Sequence, residues 1–363
     1  MKRIGNVWEK IISFENLMQA HVRAKQGKSD YVEVQKINGN PEKYLMKLHR
    51  RLKNGDYKVR YEDYIKKNII DKGKQREIMK LPYYPHRIVQ WAIMLKIQDR
   101  FLKNFILDTY ASIEKRGLHF GAKRLKKRLY KDSEGTKYCL KIDMKKYYPS
   151  IDNRILFEIV KTKIKDKKLL GVIENIIFSV GEKGQPIGSL WSQWAGNLYL
   201  SELDHHVKEK LKILYYRYCD DIVLLSGSKE ELRNALGEIR KIAAEKLELK
   251  IKENYQIFPT RKRGIDFLGY RFFGNYILLR KRVLKELKRK LIPLQEKEIL
   301  TNSENSQINS YKGWLKFCDG FNLHKKYLAP FHRKIYINQN GDKRRVNVYV
   351  CNRRKRKKNN SNK

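Results

Sequence analysis

Three carboxylates stand where the hydrophobic pattern of the sequence predicts the ends of buried strands. Asp143 follows the mostly apolar segment 138–142, and Asp220 and Asp221 lie between two apolar runs. Acidic groups beside buried positions are costly unless they are paired or bind a metal ion. Carboxylate oxygens are the ligands that Mg²⁺ and Mn²⁺ prefer, and two such ions would activate a 3′-hydroxyl and stabilise a leaving pyrophosphate. The chemistry indicated is phosphoryl transfer.

The Asp220–Asp221 pair has a second interpretation. Adjacent acidic residues also suit a tight hairpin turn, and the dipeptide alone favours that reading. The flanking runs 214–218 and 222–225 predict hairpin arms apolar enough to lie in the centre of a sheet. If 138–143 is a neighbouring central strand, Asp143 meets the hairpin despite its distance along the chain. The elements between these residues therefore decide whether a site forms.

The predicted elements from 136 onward follow the order βαββαβ, which describes an α+β fold with a split, ferredoxin-like sheet. Two amphipathic helices open the chain before this region, and a helix begins after Pro85. The predicted elements are a strand at 138–143, helices at about 152–163, 168–179 and 189–210, the hairpin, a helix at about 229–246, a strand near Leu249, and helices at about 281–298, 308–318 and 322–335.

The charge of the chain indicates a polyanionic partner. Lys and Arg number 82 against 39 Asp and Glu, which gives a formal charge of +43. Hydrophobic residues make up 41% and aromatic residues 11% of the chain, too much for a disordered basic protein. Basic residues concentrate at 123–128, 280–290 and 353–358, and the interleaved aromatic rings could stack on unpaired bases. A folded nucleic-acid-binding protein is the class predicted.

The remaining composition argues against other classes. The first 25 residues carry charges every few positions, and no stretch approaches 18 uncharged apolar residues. We therefore expect a cytoplasmic protein without a membrane partner. The cysteines are too dispersed for a zinc finger or a disulfide scaffold; they are Cys139, Cys219, Cys318 and Cys351.

Two motifs carry a resemblance to a known family. Segment 217–226, RYCDDIVLLS, resembles the YxDD hairpin of reverse transcriptases, and segment 140–152, LKIDMKKYYPSID, resembles their first palm motif. Further similarity at 76–90 and at Phe267–Tyr270 extends the resemblance over about 60–275. It implies a right-hand polymerase with fingers, a ferredoxin-like βαββαβ palm and a short helical thumb.

The same resemblance assigns roles to residues. Asp143, Asp220 and Asp221 become the catalytic carboxylates that hold two Mg²⁺ ions, with Mn²⁺ as a substitute. Tyr148 takes the place of the aromatic ring that lies against the sugar of the incoming deoxynucleoside triphosphate. Adjacent Tyr147 is expected in the core, because consecutive side chains point in different directions.

Cations in the fingers have a predicted role in gripping the triphosphate. Arg76 and Lys74 occupy the matching positions, although a solvated surface role explains Lys74 equally well. Arg87 is expected to form a structural ion pair at its helix start. Lys252 could donate a proton to pyrophosphate in place of the Lys-Thr pair found in many relatives, but a solvated strand lysine is the favoured interpretation.

The loop between the carboxylates suggests a subgroup. Most reverse transcriptases have PQGxxxSP there, whereas this chain has Ile187 for the glutamine, Gly188 retained, and Gln193 for the proline. The pattern resembles enzymes of diversity-generating retroelements, which copy a template-repeat RNA into cDNA with errors opposite adenine and work with a small oligomeric protein, the accessory variability determinant. We therefore count Ile187, Gly188 and Gln193 among the predicted nucleotide-binding residues.

Other interpretations stay open. Drift at a packing position would explain Ile187, and the enzyme would then be a group II intron-like or other bacterial retroelement reverse transcriptase of ordinary fidelity. A catalytically silent RNA-binding protein is a third possibility, which the intact set of three carboxylates disfavours. The predicted domains are 1–135 for the amino-terminal helices and fingers, 136–275 for the palm with inserted fingers helices at about 152–180, 276–351 for the thumb, and 352–363 for a basic disordered tail.

Overall fold

The computed structural model describes residues 2–71 and 74–349. The α-helices α1 to α16 are Trp8–Ile12, Phe14–Ala24, Val32–Gly39, Pro41–Lys53, Ile88–Leu102, Leu118–Lys131, Tyr147–Ser150, Asn153–Lys161, Lys167–Phe178, Leu190–Tyr199, Ser201–His205, Lys229–Glu245, Thr260–Arg263, Lys281–Leu291, Asn302–Leu315 and Phe321–Tyr327. The strands β1 to β12 are Ile65–Asp71, Lys74–Lys80, Tyr138–Asp143, Leu214–Tyr218, Asp221–Ser226, Gln256–Pro259, Ile265–Phe267, Tyr270–Phe273, Tyr276–Leu279, Ile299–Thr301, Ile335–Ile337 and Lys343–Arg345. The predicted basic tail at 352–363 lies outside the described residues.

The chain divides into two compact units. The first unit runs from the amino terminus to Glu114 and adds Lys141–Leu224 and Glu230–Gln256. The second unit contains Lys115–Leu140, Leu225–Lys229 and the chain from Ile257 onward. The division into fingers, palm and thumb that the sequence predicts stays a prediction.

A four-stranded sheet has the order β4-β5-β3-β6. If these four strands are numbered by their order along the chain, their order in the sheet is 2-3-1-4. This is the strand order of a ferredoxin-like βαββαβ motif. Helices α7 to α11 connect the first pair of strands and α12 connects the last pair. Buried apolar runs form the two central strands: Cys139, Leu140 and Ile142 in β3, and Ile222 to Leu225 in β5. The predicted α+β fold and its βαββαβ order are confirmed.

Helices at the amino end of the first unit pack on α5. Buried Leu17 and Ala20 of α2 and Ala92 and Ile93 of α5 belong to this core. Asn16 is itself buried, and its side-chain amide donates to the carbonyls of Ile11 and Ala92. No helix of the described residues has both the length and the apolar character needed to cross a membrane.

Two predicted elements of the first unit have different bounds in the structure. The helix expected at 189–210 is interrupted at Leu200, whose φ of −91° and ψ of 0° end α10 and precede α11, and a wider turn follows at His206–Lys210. The strand expected near Leu249 is reduced to one antiparallel bridge between Met144 and Ile251, and β6 begins only at Gln256.

The second unit contains two small sheets and the last helices. Strands β7, β8 and β9 form an antiparallel meander in which Phe267 pairs with Tyr270 and Phe272 pairs with Ile277. Strands β10, β11 and β12 form a sheet that the sequence pattern does not predict. Helix α14 ends at Leu291, because Pro293 lacks the amide needed to continue it. Helix α15 begins earlier than expected, where Thr301 and Glu304 form a capping box.

Candidate active site

The hairpin of β4 and β5 places two of the three predicted carboxylates. Cys219 and Asp220 form its turn, and Asp221 is the first residue of β5. Cys219 adopts a φ of +59°, the left-handed conformation that a tight turn requires. Asp143 ends β3, the neighbour of β5 in the sheet. The three acids therefore come from a strand end and a turn on adjacent strands.

The carboxyl groups of these acids affect one another's pKa. Burial raises the pKa of Asp221 to about 6, against the opposing effect of Lys141 and with an added contribution from Asp143. Burial also raises the pKa of Asp220, and the Asp143 carboxyl raises it further through its charge and a hydrogen bond. Both hairpin carboxyls are therefore more easily protonated than a solvated aspartate, as expected where like charges share a partly buried site.

Two lysines compensate this negative charge. The Lys252 ammonium donates a hydrogen bond to Asp143 Oδ1, and the Lys252 backbone amide donates to the Asp143 carbonyl at 2.9 Å. The Met144–Ile251 bridge sets this register. Lys141 Nζ lies 3.4 Å from Asp221 Oδ1 and 3.5 Å from Oδ2. The favoured interpretation of Lys252 as a solvated strand lysine is wrong, because its side chain is half-buried against a predicted metal ligand.

The donor set fits a hard divalent cation. All three candidate ligands are carboxylates, and the buried Asp221 Oδ1 accepts no hydrogen bond, although it forms an ion pair with Lys141 at 3.4 Å. Burial and the repulsion from Asp143 raise the pKa of Asp220, and a bound cation would relieve that repulsion. Within residues 2–71 and 74–349, no three His, Cys, Asp or Glu side chains are arranged as a ready metal-binding group. Asp143 and Asp221 are each oriented toward a lysine instead.

A fully buried ion pair supports the catalytic turn. Arg217 in β4 donates to both carboxylate oxygens of Asp204, at 2.7 and 2.5 Å, and both side chains are completely buried. Its Nη1 also donates to the Cys219 carbonyl at 3.0 Å and to Asn197 Oδ1 at 3.2 Å. Tyr215 donates to Asp204 at 2.7 Å. The arginine thereby ties the backbone of the turn to helices α10 and α11.

Tyr148 lies at the hairpin, whereas Tyr147 belongs to the core. The Tyr148 hydroxyl is 3.2 Å from Cys219 Sγ, and the side chain is half-buried. Burial raises its pKa, and Asp220 adds to the shift. Tyr147 is buried and donates to the Gly196 carbonyl. The expected difference between these two neighbours is confirmed; the sugar-contacting role of Tyr148 stays a prediction.

The loop before α10 contacts the second strand of the β1–β2 hairpin. The Met79 amide donates to the Ile187 carbonyl at 3.1 Å. Gly188 has a φ of +118°, and a Cβ there would lie 3.1 Å from Ile78 and 3.3 Å from Lys80. Glycine is therefore required both by conformation and by this close approach. Ile187 itself is half-buried.

Gln90 fixes the start of α10. Its buried side-chain oxygen accepts from the Ser189 hydroxyl at 3.1 Å and from the amides of Leu190 and Trp191 at 3.1 and 3.2 Å. These amides are among the donors that a helix leaves unpaired at its first turn. Gln185, one residue before Pro186, is buried and donates to Asn153 Oδ1 at 2.8 Å. Both glutamines therefore stabilise the joint that carries Ile187.

Two other predicted nucleotide-binding residues, Arg76 and Gln193, are exposed. Arg76 is exposed on β2, opposite Ile69, and the side chain of Lys74 lies outside the described residues. Gln193 is exposed in the first turns of α10. The prediction of an ion pair for Arg87 is wrong. Its Nε donates instead to the Ala24 carbonyl at 3.1 Å.

Sequence reasoning missed Lys141, Arg217 with Asp204, and Gln90 as parts of the site. A signal existed for Arg217, because a lone cation in the apolar strand LYYRY is buried and needs an acidic partner. No comparable signal identified Gln90, whose partners lie about 100 residues away.

Comparison with known proteins agrees with this geometry. The family model described as reverse transcriptase (RNA-dependent DNA polymerase) matches residues 65–272. The chain belongs to this family. It is an RNA-directed DNA polymerase with the right-hand polymerase fold, and enzymes of this family depend on divalent metal ions.

Curated relatives of this reverse transcriptase come from two kinds of element. The retron Ec73 reverse transcriptase of Escherichia coli is 24% identical over 294 residues, which cover 73% of this chain and 90% of that protein. The group II intron-encoded protein LtrA of Lactococcus lactis subsp. cremoris is 22% identical over 374 aligned residues, and the match spans 80% of this chain but 60% of LtrA.

A solved structure is also similar to this chain. The structure of a Candida tropicalis telomerase in complex with a telomeric RNA fragment has a TM-score of 0.46 at 13% identity, covering 79% of this chain and 56% of that one.

Proposed function

We propose that Asp143, Asp220 and Asp221 hold two Mg²⁺ ions and that this site adds deoxynucleoside triphosphates to cDNA on an RNA template. The observation that carries this proposal is the meeting of the three acids at one strand end and one turn, with raised pKa values for Asp220 and Asp221. When bound, the ions supply the Lewis-acid chemistry of phosphoryl transfer. Mn²⁺ is the expected substitute.

The chain's own residues have distinct tasks in this proposal. The carboxylates orient the ions, and Arg217 holds the turn that carries Asp220. Tyr148 lies against the sugar of the incoming nucleotide and disfavours a 2′-hydroxyl. Lys252, now paired with Asp143, is close enough to the carboxylates to exchange that partner for the pyrophosphate when metal is bound.

The test is primer extension by an Asp220→Asn variant. Loss of a ligand acts on the chemical step, so we expect turnover to fall at least about 100-fold while affinity for RNA stays within about twofold. Asp30→Asn, at an exposed acid elsewhere, is the matched control and should retain full activity. An equal loss of RNA affinity and turnover in the Asp220 variant would contradict the metal-binding role.

We also propose the finer function of a diversity-generating retroelement enzyme. Its support is the pattern Ile187, Gly188 and Gln193, together with the position of Ile187 in a loop that contacts β2. An apolar side chain there removes an amide that could help to position template or nucleotide. Errors opposite template adenine follow from the weaker preference for the correct pair. The proposed partner is an oligomer of the accessory variability determinant.

An Ile187→Gln variant tests this subgroup. A restored hydrogen bond worth about 1 kcal/mol would lower misincorporation opposite adenine roughly fivefold, measured by sequencing cDNA made by both enzymes on one template. An even error spectrum in the parent enzyme would favour the alternative, a retron-like or group II intron-like reverse transcriptase of ordinary fidelity. The curated relatives support that alternative equally well.

We propose that three regions of the chain form the fingers, palm and thumb of the polymerase. Residues 1–135 supply helices and fingers, 136–275 the palm, and 276–351 the thumb. The fingers include β2, whose Arg76 is proposed to contact the triphosphate.

A further inference from the structure

Hydrogen bonds to three elements of the first unit hold the turn at 187–188 in place. Before the turn, the Gln185 amide donates to the carbonyl of Tyr148 in α7 at 2.9 Å. At the turn, the Met79 amide of β2 donates to its first carbonyl at 3.1 Å. After the turn, three consecutive residues donate to one side-chain oxygen of Gln90 in α5. The turn is therefore connected to the backbone of Tyr148, the proposed sugar-contacting residue, and anchored to α5.

Gln90 makes the contact that follows the turn. Its side chain is 4% exposed, and its Oε1 accepts from the Ser189 hydroxyl and from the amides of Leu190 and Trp191 at 3.1 to 3.2 Å. These donors directly follow Gly188 in the chain. A buried carbonyl oxygen is costly unless it is hydrogen-bonded, and so are the buried donors that it pairs. Displacement of the Gln90 side chain would therefore displace the end of the turn.

Aromatic packing makes α5 a rigid support for α10. The centroid of the Phe101 ring in α5 lies 6.4 Å from the ring centroids of both Trp191 and Trp194 in α10. The Phe105 ring, just beyond the end of α5, lies 6.1 Å from that of Trp194. All four rings are buried. Because buried side chains are close-packed, neither helix can shift without loss of these contacts, and the bonds to Gln90 hold the turn in a defined place.

We propose that Gln90 is a positioning residue for nucleotide selection. Being buried, it acts through the turn at 187–188 rather than on the nucleotide directly, so the inference rests on the proposed nucleotide-binding role of Ile187 and Gly188. Selection is a difference between two transition-state free energies, and it depends on groups held within about 0.5 Å of their working positions. A turn released from Gln90 would lose contacts to a correct pair, which fits it, more than contacts to a mispair, which fits it poorly.

The test is single-nucleotide primer extension on an RNA template by Gln90→Met. Methionine keeps the length and approximate volume of the side chain but has no carbonyl oxygen. We expect KM for the correct deoxynucleotide to rise about tenfold, kcat to stay within about twofold, and the preference for the correct over the incorrect nucleotide to fall about fivefold or more. Gln90→Glu keeps an acceptor, and its charge suits the start of a helix, so it should retain the parent's values within about twofold.

A measurement without turnover tests the same contact. Amide hydrogen exchange of Leu190 and Trp191 in the free protein should become about tenfold faster or more in Gln90→Met and stay near the parent's rate in Gln90→Glu. Ser189→Ala removes one of the three bonds and should raise KM about twofold, so the inference can be tested even if the methionine variant does not fold.

Asn16→Ala is the matched control for lost stability. The Asn16 side-chain amide donates to the carbonyl of Ala92 in α5 at 3.0 Å and to that of Ile11 at 2.8 Å. The variant therefore loses a buried bond to the same helix while the bonds between Gln90 and α10 remain. Its KM and its nucleotide preference should equal those of the parent.

Several results would overturn the inference. One is a fall in kcat at unchanged KM in Gln90→Met, which a partly unfolded population gives. Others are unchanged exchange at Leu190 and Trp191, or an equal rise of KM in Asn16→Ala. If the Gln90 variants select nucleotides like the parent while Asp220→Asn is inactive, this inference fails alone. If the parent adds no deoxynucleotide on RNA, the proposed function fails with it.

Discussion

At the scale of single residues, two lysines partly neutralise the carboxylates of the candidate active site. Asp143 is paired with Lys252, and Asp221 with Lys141, whereas Asp220 lies in the turn with a raised pKa. In a chain with 82 basic residues, two lysines are placed where they offset a local excess of negative charge. In the proposed metal site, divalent cations would compete with these ammonium groups and with protons for the same oxygens.

Proton competition gives the first prediction. Burial raises the pKa of Asp221 to about 6, so this carboxyl is largely ionised at pH 7 and largely protonated at pH 5. Divalent-ion affinity should therefore fall as pH falls, by at least about tenfold between pH 7 and pH 5. Mn²⁺ titration followed by electron paramagnetic resonance measures this directly. An Asp221→Asn variant should bind more weakly at every pH but with a shallower pH dependence; an unchanged slope would mean that another group is responsible.

The sugar-contacting role of Tyr148 gives the second prediction. Truncation to Ala should raise incorporation of ribonucleotides relative to deoxynucleotides by about tenfold or more, because a steric clash with the 2′-hydroxyl is removed. Competitive primer extension measures the ratio. Tyr147→Phe, which alters the buried neighbour, is the control and should leave the ratio unchanged. If the Tyr148 variant also keeps the parent's ratio, another residue carries the discrimination.

At the scale of elements, the catalytic hairpin depends on helices that pack beneath it. Arg217 joins the Cys219 carbonyl in the turn to Asp204 of α11 and Asn197 of α10. Helix α10 in turn begins where Gln90 of α5 caps its first amides. The position of the turn is thus set by α10, α11 and α5, of which α5 is distant in sequence.

An Arg217→Lys variant should separate positioning from stability. It keeps a cation for Asp204 but loses the planar group that also reaches the Cys219 carbonyl. We expect kcat to fall about tenfold with little change in KM for nucleotide. Tyr215→Phe is the matched control, since it removes a bond to Asp204 without affecting the turn, and should cost about 1 kcal/mol of stability while kcat is retained. Losses of activity proportional to stability in both variants would contradict a positioning role.

At the scale of the whole molecule, a net charge of +43 dominates behaviour in solution. Such a charge opposes compaction of the free protein and attracts a polyanion over long distances. Binding of RNA then releases counterions condensed on its phosphates, so affinity depends steeply on salt. Helices α6 and α14 of the second unit carry many of these basic residues.

Salt dependence gives the corresponding prediction. If six or more phosphates of a single-stranded RNA are neutralised, log affinity should fall against log salt with a slope of about −4 or steeper. Filter binding between 50 and 300 mM KCl is a suitable measurement. Turnover at saturating RNA should change far less, because the carboxylate site is partly buried. A slope near zero would show that the charge serves another purpose.

The sequence by itself determined the chemistry and the class of fold. Acids at the ends of apolar runs, the βαββαβ order and the basic excess are local or compositional properties, and each is visible without coordinates. The predicted ferredoxin-like order and the separate environments of Tyr147 and Tyr148 are confirmed for the same reason, since hydrophobic runs and the different directions of consecutive side chains follow from backbone geometry.

Only the tertiary structure decided which distant groups complete the site. Lys252 reaches Asp143 through the Met144–Ile251 bridge, more than 100 residues along the chain from its partner. Arg217 needed a buried acid, but the pattern of residues does not say that Asp204 supplies it. Such partners are selected by packing and by the cost of leaving a buried charge or donor unpaired, and these energies depend on the folded arrangement rather than on neighbouring residues.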